Sequence, residues 1–153
     1  MRRIKNKFQR PKAPWDSVRI KDEKGLLKEY GLRRKKELRA AEEILRRFRQ
    51  RARELIAVRD EEKEKILIEK LLMLGMLTKE KTELDDVLSL TVNNILDRRL
   101  QTIVAKKALA KTLREARQMI VHKRINIGDR ITPFPSCIVT LEEEANIKAT
   151  KEK

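Results

Sequence analysis

A chain of 153 residues can hold one ordinary domain or two small ones, and 40% hydrophobic residues supply a modest core. Its 39 lysines and arginines outnumber 24 acids, and the formal charge of +15 favours a polyanionic partner, with nucleic acid first and an anionic membrane surface second. No apolar run of about 18 residues and no signal-peptide pattern is present, so we expect a cytoplasmic protein without a membrane contact.

The charge is unevenly distributed along the chain. Residues 1–53 carry +13 and residues 95–130 carry +7, whereas residues 54–94 between them carry −4. Two basic regions therefore flank an acidic one, and the basic regions are the candidate binding surfaces.

Residues 1–31 read as a basic N-terminal extension with little periodicity. Prolines and glycines interrupt the segment, and it has too few apolar residues to order itself, so we expect it to settle on a partner. Phe8, Trp15 and Tyr30 could either stack on nucleobases or pack on the protein's own helices.

A helical domain is predicted over residues 32–94, and it begins with a long amphipathic helix from Leu32 to about Val58. Apolar residues recur there at steps of three and four. Five arginines lie among them within eight residues, more than the nearby carboxylates can neutralise. Because the planar guanidinium holds phosphate oxygens in pairs, these five are candidate nucleic-acid contacts: Arg46, Arg47, Arg49, Arg51 and Arg53.

A second helix is predicted to begin at the acidic residues 60–62 and to end at Gly75, a suitable helix C-cap. Its outer face is acidic and reads as solvent-exposed. Its apolar face is predicted to consist of Ile66, Leu67, Leu71, Leu72 and Leu74.

Two more helical runs complete this part of the chain. Thr82 and Asp85 stand at capping-box spacing ahead of a short third helix. Thr91 can cap a further single run that extends from Ile95 to Val104.

A basic corner follows, and we expect it to carry the function. Thr112 and Glu115 form a capping-box pattern, so a helix should begin near Leu113 and expose its basic residues. After residues 122–124 the pattern changes from helical to alternating, which predicts a strand around residues 125–127.

The remaining residues are predicted to hold a turn, a loop and a second strand. Gly128 and Asp129 form the turn, and two prolines restrict the loop that follows. Residues 138–141 are β-prone and could pair with the strand at residues 125–127, while residues 146–153 read as a flexible C-terminal tail. The predicted fold class is thus mainly α with a small α+β module.

Catalytic and metal-binding patterns are missing from the sequence. Cys137 and His122 are the only cysteine and histidine, which cannot build a zinc site or a disulfide framework, and no phosphate-binding glycine loop occurs. We therefore expect no enzyme, no cofactor and no metal. Between nucleic acids, the change from helix to strand after His122 favours a structured RNA over a helix-turn-helix contact with DNA.

A resemblance to a known family is carried by several stretches. Those of the basic corner resemble the alpha-L RNA-binding domain: residues 98–104 (RRLQTIV), 110–122 (AKTLREARQMIVH), 125–127 (INI) and 135–136 (PS). Those upstream are similar to small-subunit ribosomal protein four in its archaeal and eukaryotic form: residues 30–32 (YGL), 35–38 (KKEL), 45–49 (LRRFR), 51–55 (RAREL) and 84–88 (LDDVL). The likeness covers about residues 12–147.

The resemblance implies a structural protein of the small ribosomal subunit that binds small-subunit rRNA directly. It further implies a role in nucleating assembly of the 5′ domain and in translational accuracy, beside other ribosomal proteins and near the side where mRNA enters. It implies a domain order of an N-terminal extension (1–31), a helical rRNA-binding domain (32–94), an alpha-L domain with a short antiparallel sheet (95–145) and a tail (146–153). The protein is not expected to be a homo-oligomer.

The matching positions and their basic neighbours give the candidate RNA-binding residues. In the helical domain they include the five arginines above together with Arg33, Arg34 and Lys35. In the alpha-L domain they are Arg98, Arg99, Lys106, Lys107, Lys111, Thr112, Arg114, Arg117, Gln118, His122, Lys123 and Arg124.

The sequence departs from the family pattern at four places in the corner. Lys123 stands where the family usually has glycine, Gly128-Asp129 replaces the commoner Asn-Gly turn, Thr132 takes an apolar place and Cys137 takes that of an aromatic residue. We therefore expect an irregular hairpin. The zinc cysteines of some bacterial relatives are also absent, in line with the expectation of no metal.

Two alternatives stay open at this point. A stand-alone alpha-L RNA chaperone or ribosome quality-control factor would explain the corner but not the arginine-rich helix before it. An RNA-modifying or tRNA-ligating enzyme that uses the domain as an anchor would need a catalytic domain that this sequence does not contain.

Overall fold

The computed structural model describes residues 8–9, 11–78 and 83–149, and within them the chain forms eight helices and three short strands. This confirms the predicted fold class. The helices are α1 (Ser17–Glu29), α2 (Lys35–Val58), α3 (Glu61–Met73), α4 (Leu84–Ser89), α5 (Val92–Asp97), α6 (Leu100–Lys106), α7 (Leu113–Val121) and α8 (Leu141–Ala145). The strands are β1 (Ile125–Ile127), β2 (Arg130–Ile131) and β3 (Ile147–Ala149).

Helix α2 is the axis of the helical part and confirms the amphipathic pattern. Its buried residues recur at steps of three, four and seven, which places them in one stripe against α1, α3, α4 and α5: Leu38, Ala41, Leu45, Ala52 and Leu55. Phe48 lies half-buried in the same stripe. Among the described residues no helix combines the length and the apolar character that crossing a bilayer would require.

Helix α1 was not predicted, because its residues lack apolar periodicity. Asp16 caps its N-terminus by accepting a hydrogen bond from the Val18 amide at 3.1 Å. Its one buried residue is Glu23, whose carboxylate lies 3.3 Å from Arg19 and 2.7 Å from Lys35 of α2. The ion pairs and the half-buried Leu26 together fix this helix to its neighbours, so hydrophobic periodicity alone could not find it. The parts of the extension at residues 1–7 and 10 lie outside the described residues.

Helices α3 and α4 follow the predicted order with two corrections. Ile66 was assigned to the apolar face of α3, but its side chain is 64% exposed, and Leu67 and Leu71 alone are buried. The short helix α4 is capped one residue later than predicted: Glu83 is the N-cap, and its amide donates to the Asp86 carboxylate at 3.4 Å. Thr82 lies outside the described residues.

The predicted single run from Ile95 to Val104 is wrong, because Arg98 and Arg99 divide it into α5 and α6. These two residues pair with the loop before α8: the Val139 amide donates to the Arg98 carbonyl at 3.0 Å, and Arg99 forms a β-bridge with Ile138. The Thr102 hydroxyl donates to the Leu96 carbonyl at 2.8 Å across the break. A contact 40 residues away in sequence thus overrides a continuous helical pattern.

The small sheet has the order β2-β1-β3 and is antiparallel throughout. Strand β1 was predicted correctly, but its partner was not: residues 138–141 contribute the bridge and the start of α8, while Ile147–Ala149 pairs with β1 along its whole length. Part of the predicted tail is therefore a strand, and residues 150–153 lie outside the described residues. The hairpin is short, since β2 has two residues.

Two apolar clusters form the interior, and the boundary between them lies at the break between α5 and α6. The first extends from Tyr30 to Leu96 and the second from Leu100 to Ile147. The division of the chain into domains at residues 94 and 95 stays a prediction.

Left-handed residues end several helices and turn the chain sharply. After α1 and α3 the left-handed residue is glycine, at Gly31 and Gly75. After α6 and α7 it is Ala108 and Lys123, with φ of 55° and 61°. After α7 the Arg124 amide donates to Met119 and the Lys123 amide to Ile120, the paired bonds of a Schellman motif. Lys123 therefore makes this turn without a glycine, at a cost in backbone strain.

We predict that three glycine-to-alanine changes affect the free energy of unfolding in a graded way. Gly31 has a φ of +57°, and a Cβ added there would lie 2.9 Å from the Leu113 Cβ. Gly31→Ala should therefore lower the free energy of unfolding by about 2–4 kcal/mol. Gly128→Ala has the same φ problem in open space and should lose about 1 kcal/mol. Gly25→Ala lies inside α1 with nothing near and should gain about 0.5–1 kcal/mol. Urea unfolding would measure all three, and equal losses at Gly31 and Gly128 would contradict the close contact with Leu113.

Candidate nucleic-acid interface

A carboxylate on α2 joins the helical part to the basic corner. The two oxygens of Glu37 accept from both guanidinium nitrogens of Arg117, at 2.9 and 3.0 Å, and one also accepts from Arg99 at 2.7 Å. The Arg99 side chain is 5% exposed and that of Arg117 is 25% exposed. Paired, two-pronged hydrogen bonds of this kind fix both the distance and the relative orientation of α2 and α7.

A buried glutamine completes the junction. The Gln101 amide nitrogen lies 3.2 Å from the Gly31 carbonyl and 3.1 Å from the Leu113 carbonyl, and its oxygen accepts from Arg117 at 3.3 Å. The side chain thereby links the chain just after α1 to the first residue of α7. We call Glu37, Arg99, Gln101 and Arg117 the junction network.

The pKa of Glu37 reports the balance of forces in the junction network. Burial raises the pKa of this carboxyl, but the hydrogen bonds and positive charges of Arg117 and Arg99 outweigh burial and hold the pKa below its ordinary value. The carboxylate is therefore stabilised in its ionised form, and its contribution to folding requires that ionisation.

A basic groove opens beside this junction, between the end of α1 and the first turn of α7. It has a volume of about 480 Å³, and four cations line it: Lys28, Arg33, Arg114 and Arg117. Arg33 and Arg114 are exposed and form no hydrogen bond or ion pair among the described residues, so their guanidiniums can meet a ligand. Gly31 forms part of the wall because the chain turns there without a side chain.

The exposed face of α7 continues the groove, but Arg117, which was predicted to lie on that face, is half-buried against Glu37. Lys111, Thr112, Arg114 and Gln118 are exposed, while Ala116 and Ile120 are buried on the opposite side. The turn after the helix exposes His122, Lys123 and Arg124. One detail of the cap differs: Thr112 accepts from the Glu115 amide at 3.2 Å, but the Glu115 carboxylate accepts from the Lys111 amide instead of that of Thr112.

The five arginines of α2 divide into two groups. Arg46 and Arg47 lie within 3.3 and 3.6 Å of Glu43, and Arg49 donates to the Leu90 carbonyl at 2.6 Å, which ties α2 to the end of α4. Arg51 and Arg53 are exposed and have no such partner in the described part of the chain. Arg34 at the start of α2 is likewise exposed, and Lys35 pairs with Glu23.

Several predicted contacts are engaged within the protein. Arg98 pairs with Glu144 at 2.7 Å and donates to the Val139 carbonyl, and Lys107 donates to the Glu144 carbonyl. Lys106 pairs with Asp97 at 3.0 Å while remaining largely exposed. The geometry contradicts the prediction for Arg99, whose buried guanidinium has no surface left for a phosphate.

Sequence reasoning missed the residues that organise the site. Glu37, Gln101 and Lys28 were not proposed, since Glu37 and Gln101 act across 60 to 80 residues, which no local pattern reports. The three aromatic residues of the predicted extension have different environments. Tyr30 is buried, Trp15 is 89% exposed, and the Phe8 ring lies 5.9 Å from the Lys36 amine.

No metal or thiol site stands out in the described ranges. They hold no group of three His, Cys, Asp or Glu side chains that could bind a metal ion. Cys137 is half-buried, and burial raises the pKa of its thiol.

Comparison with known proteins gives consistent matches. Residues 98–140 match the S4 domain, inside the range predicted for the alpha-L domain. The chain is 47% identical to the small ribosomal subunit protein uS4 of Nanoarchaeum equitans, over 97% of this chain and 84% of that protein. It is 45% identical to the uS4 protein of Sulfolobus acidocaldarius and 44% identical to that of Sulfurisphaera tokodaii, in each case over 94% of this chain and over 83% and 82% of the relative.

We predict that Glu37→Gln lowers the free energy of unfolding by about 3 kcal/mol at pH 7, because two guanidiniums lose their counter-charge in a mostly buried site. Since the folded-state pKa of Glu37 is lowered, the stability from its ionisation is present above the unfolded pKa and is lost as the pH falls through the folded value. The difference in free energy of unfolding between the unmodified chain and Glu37→Gln should therefore become smaller below about pH 4.

A matched control is Glu43→Gln, which also removes a glutamate that faces two arginines on α2. Those arginines are largely exposed, so the loss should stay within about 1 kcal/mol. Urea unfolding between pH 3 and pH 7 measures both variants, and equal losses at pH 7 would contradict the role given to the junction network.

Proposed function

Because this chain belongs to the small ribosomal subunit protein uS4 family, in its archaeal type, we propose that it is a structural component of the small ribosomal subunit that binds the subunit's rRNA directly. The relatives are ribosomal structural proteins and not enzymes. The subunit is also where we propose this protein resides, in the cytoplasm.

The basic groove between α1 and α7 is the observation that carries the RNA contact. Four cations converge there around a backbone turn, and two of them, Arg33 and Arg114, are not engaged by protein carboxylates in the described structure. Guanidiniums at fixed positions suit the phosphates of a folded RNA, whose deep major groove is closed to side chains. Arg51 and Arg53 on α2 extend the same kind of surface over a second element.

The finer roles are part of the proposal and rest on the family resemblance. We propose that binding nucleates assembly of the 5′ domain, and that the protein supports translational accuracy where mRNA enters the subunit, beside neighbouring ribosomal proteins. A net charge of +15 opposes self-association without a polyanion, which supports a monomer outside the subunit.

The junction network favours this role over a stand-alone RNA chaperone or quality-control factor. Glu37 and Gly31 come from the helical part, and they contact Arg117 and Gln101 of the corner directly. The arginine-rich helix and the corner are thus in direct contact, whereas a stand-alone chaperone or quality-control factor would need the corner alone.

Sedimentation tests the proposed role. A tagged full-length chain should co-sediment with small subunits at one copy per particle and should remain bound after washing with high salt. Substoichiometric association that high salt removes would favour the quality-control alternative instead.

We predict that Arg33→Ala combined with Arg114→Ala weakens binding to small-subunit rRNA and lowers the slope of log K against log salt by about two, one for each lost phosphate contact. Lys65→Ala combined with Lys70→Ala is the matched control, because it removes two exposed cations from α3 and should leave the slope unchanged. Filter binding over a range of salt concentrations measures both slopes. Identical slopes for the two double variants would contradict the assignment of the groove.

A further inference from the structure

The outer face of α3 carries large apolar side chains on the side away from the core. Ile66 is 64% exposed and Met73 is 52% exposed, while Leu67 and Leu71 of the same helix are buried against α2 and its neighbours. A spacing of seven residues puts Ile66 and Met73 on one line along the helix. The cost of leaving both in water suggests that something covers them.

Two glutamates share this face with the apolar pair. Glu62 and Glu69 precede Ile66 and Met73 by four residues each, so acidic and apolar side chains alternate along a single stripe. Neither glutamate takes part in an ion pair or hydrogen bond of the described structure. We call these four residues the α3 stripe.

An apolar groove adjoins the α3 stripe where α2 ends. It has a volume of about 320 Å³, and Val58, Ile66, Leu55 and Leu67 contribute its apolar lining. Val58 is 71% exposed, and the charged part of the lining consists of three cations, Arg51, Lys63 and Lys70, and two acids, Glu54 and Asp60. The groove can receive one or two apolar side chains, next to the free carboxylates of the stripe.

The charge of this region argues against RNA as the occupant. Residues 54–94 carry ten acids and six bases in a protein whose net charge is +15. A phosphate backbone would meet repulsion from Glu62 and Glu69, whereas lysine or arginine side chains would be attracted to them.

We propose that the α3 stripe and its groove form a docking surface for a second protein, namely a lysine- and arginine-rich polypeptide segment with apolar anchor residues. Its apolar side chains lie on Ile66 and Met73 and enter the groove beside Val58, and its cations pair with Glu62 and Glu69. This surface combines α3 with the end of α2 and shares no residue with the basic groove, which lies between α1 and α7.

Photocrosslinking in assembled small subunits tests the proposal. The full-length chain carries p-benzoylphenylalanine in place of Ile66, a substitution that keeps the position apolar and exposed. Irradiation should give an adduct with a basic protein, identified by mass spectrometry. Glu62→Lys combined with Glu69→Lys in the same chain should abolish the adduct, while Asp129→Lys combined with Glu142→Lys, an equal change of charge at exposed sites elsewhere, should retain it.

A peptide titration provides a measurement that does not require assembly. The isolated full-length chain is titrated with a labelled 18-residue amphipathic peptide of leucine and lysine, and its melting temperature is recorded for each variant. Reversal of Glu62 and Glu69 should weaken binding about tenfold, a loss of about 1.4 kcal/mol, because two ion pairs at an exposed surface are removed. The control variant should bind like the unmodified chain.

Several outcomes would overturn the proposal. They are an adduct with RNA, an adduct with an acidic protein or with a second copy of this chain, no adduct in particles that contain the protein, and equal peptide affinity for the two charge variants.

Discussion

Glu37 is the residue on which the arrangement of the functional surface depends. Its carboxylate accepts hydrogen bonds from Arg99 and Arg117. Gln101 accepts a hydrogen bond from Arg117 and donates one to the carbonyl of Gly31, so it connects Arg117 to the turn there. Without this acid, two cations would face each other across the junction of α2 and α7. The protein thus uses a buried anion to hold cations close together, so that the exposed ones beside them, Arg33 and Arg114, present a fixed spacing to a polyanion.

Local patterns in the sequence predicted the elements that depend on local forces. The stripe of α2, the cap at Thr112 and the strand at residues 125–127 follow from periodicity and from the needs of a helix terminus, and the structure confirms them. The errors have a common origin in long-range contacts. Helix α1 rests on the ion pairs of Glu23, the run through Arg98 is broken by Val139, and β1 pairs with residues 147–149 instead of the predicted residues 138–141. Each of these depends on a partner that no short window of sequence contains.

The sequence predicted the basic character of the candidate site, but not which of its arginines are exposed and which bind other parts of the protein. Arginine-rich stretches identified the right elements, yet Arg98, Arg99 and Arg49 turn inward to bind carboxylates and carbonyls, while Arg33, Arg51 and Arg114 remain exposed. The same residue type serves both purposes because the guanidinium can satisfy several acceptors at once. Composition therefore predicts that a protein binds a polyanion, while burial decides which of its cations take part.

The contact between residues 98–99 and residues 138–139 brings together the two ends of the stretch that matches the S4 domain, residues 98–140. A unit whose entrance and exit are hydrogen-bonded neighbours can be inserted into another protein at a single surface point. In this chain the unit is also held from outside, because Glu37 pairs with its Arg99 and Arg117 and because Ile147 of β3 packs in its apolar cluster. The additions that follow the shared unit are α8 and β3, and β3 extends its sheet by one strand.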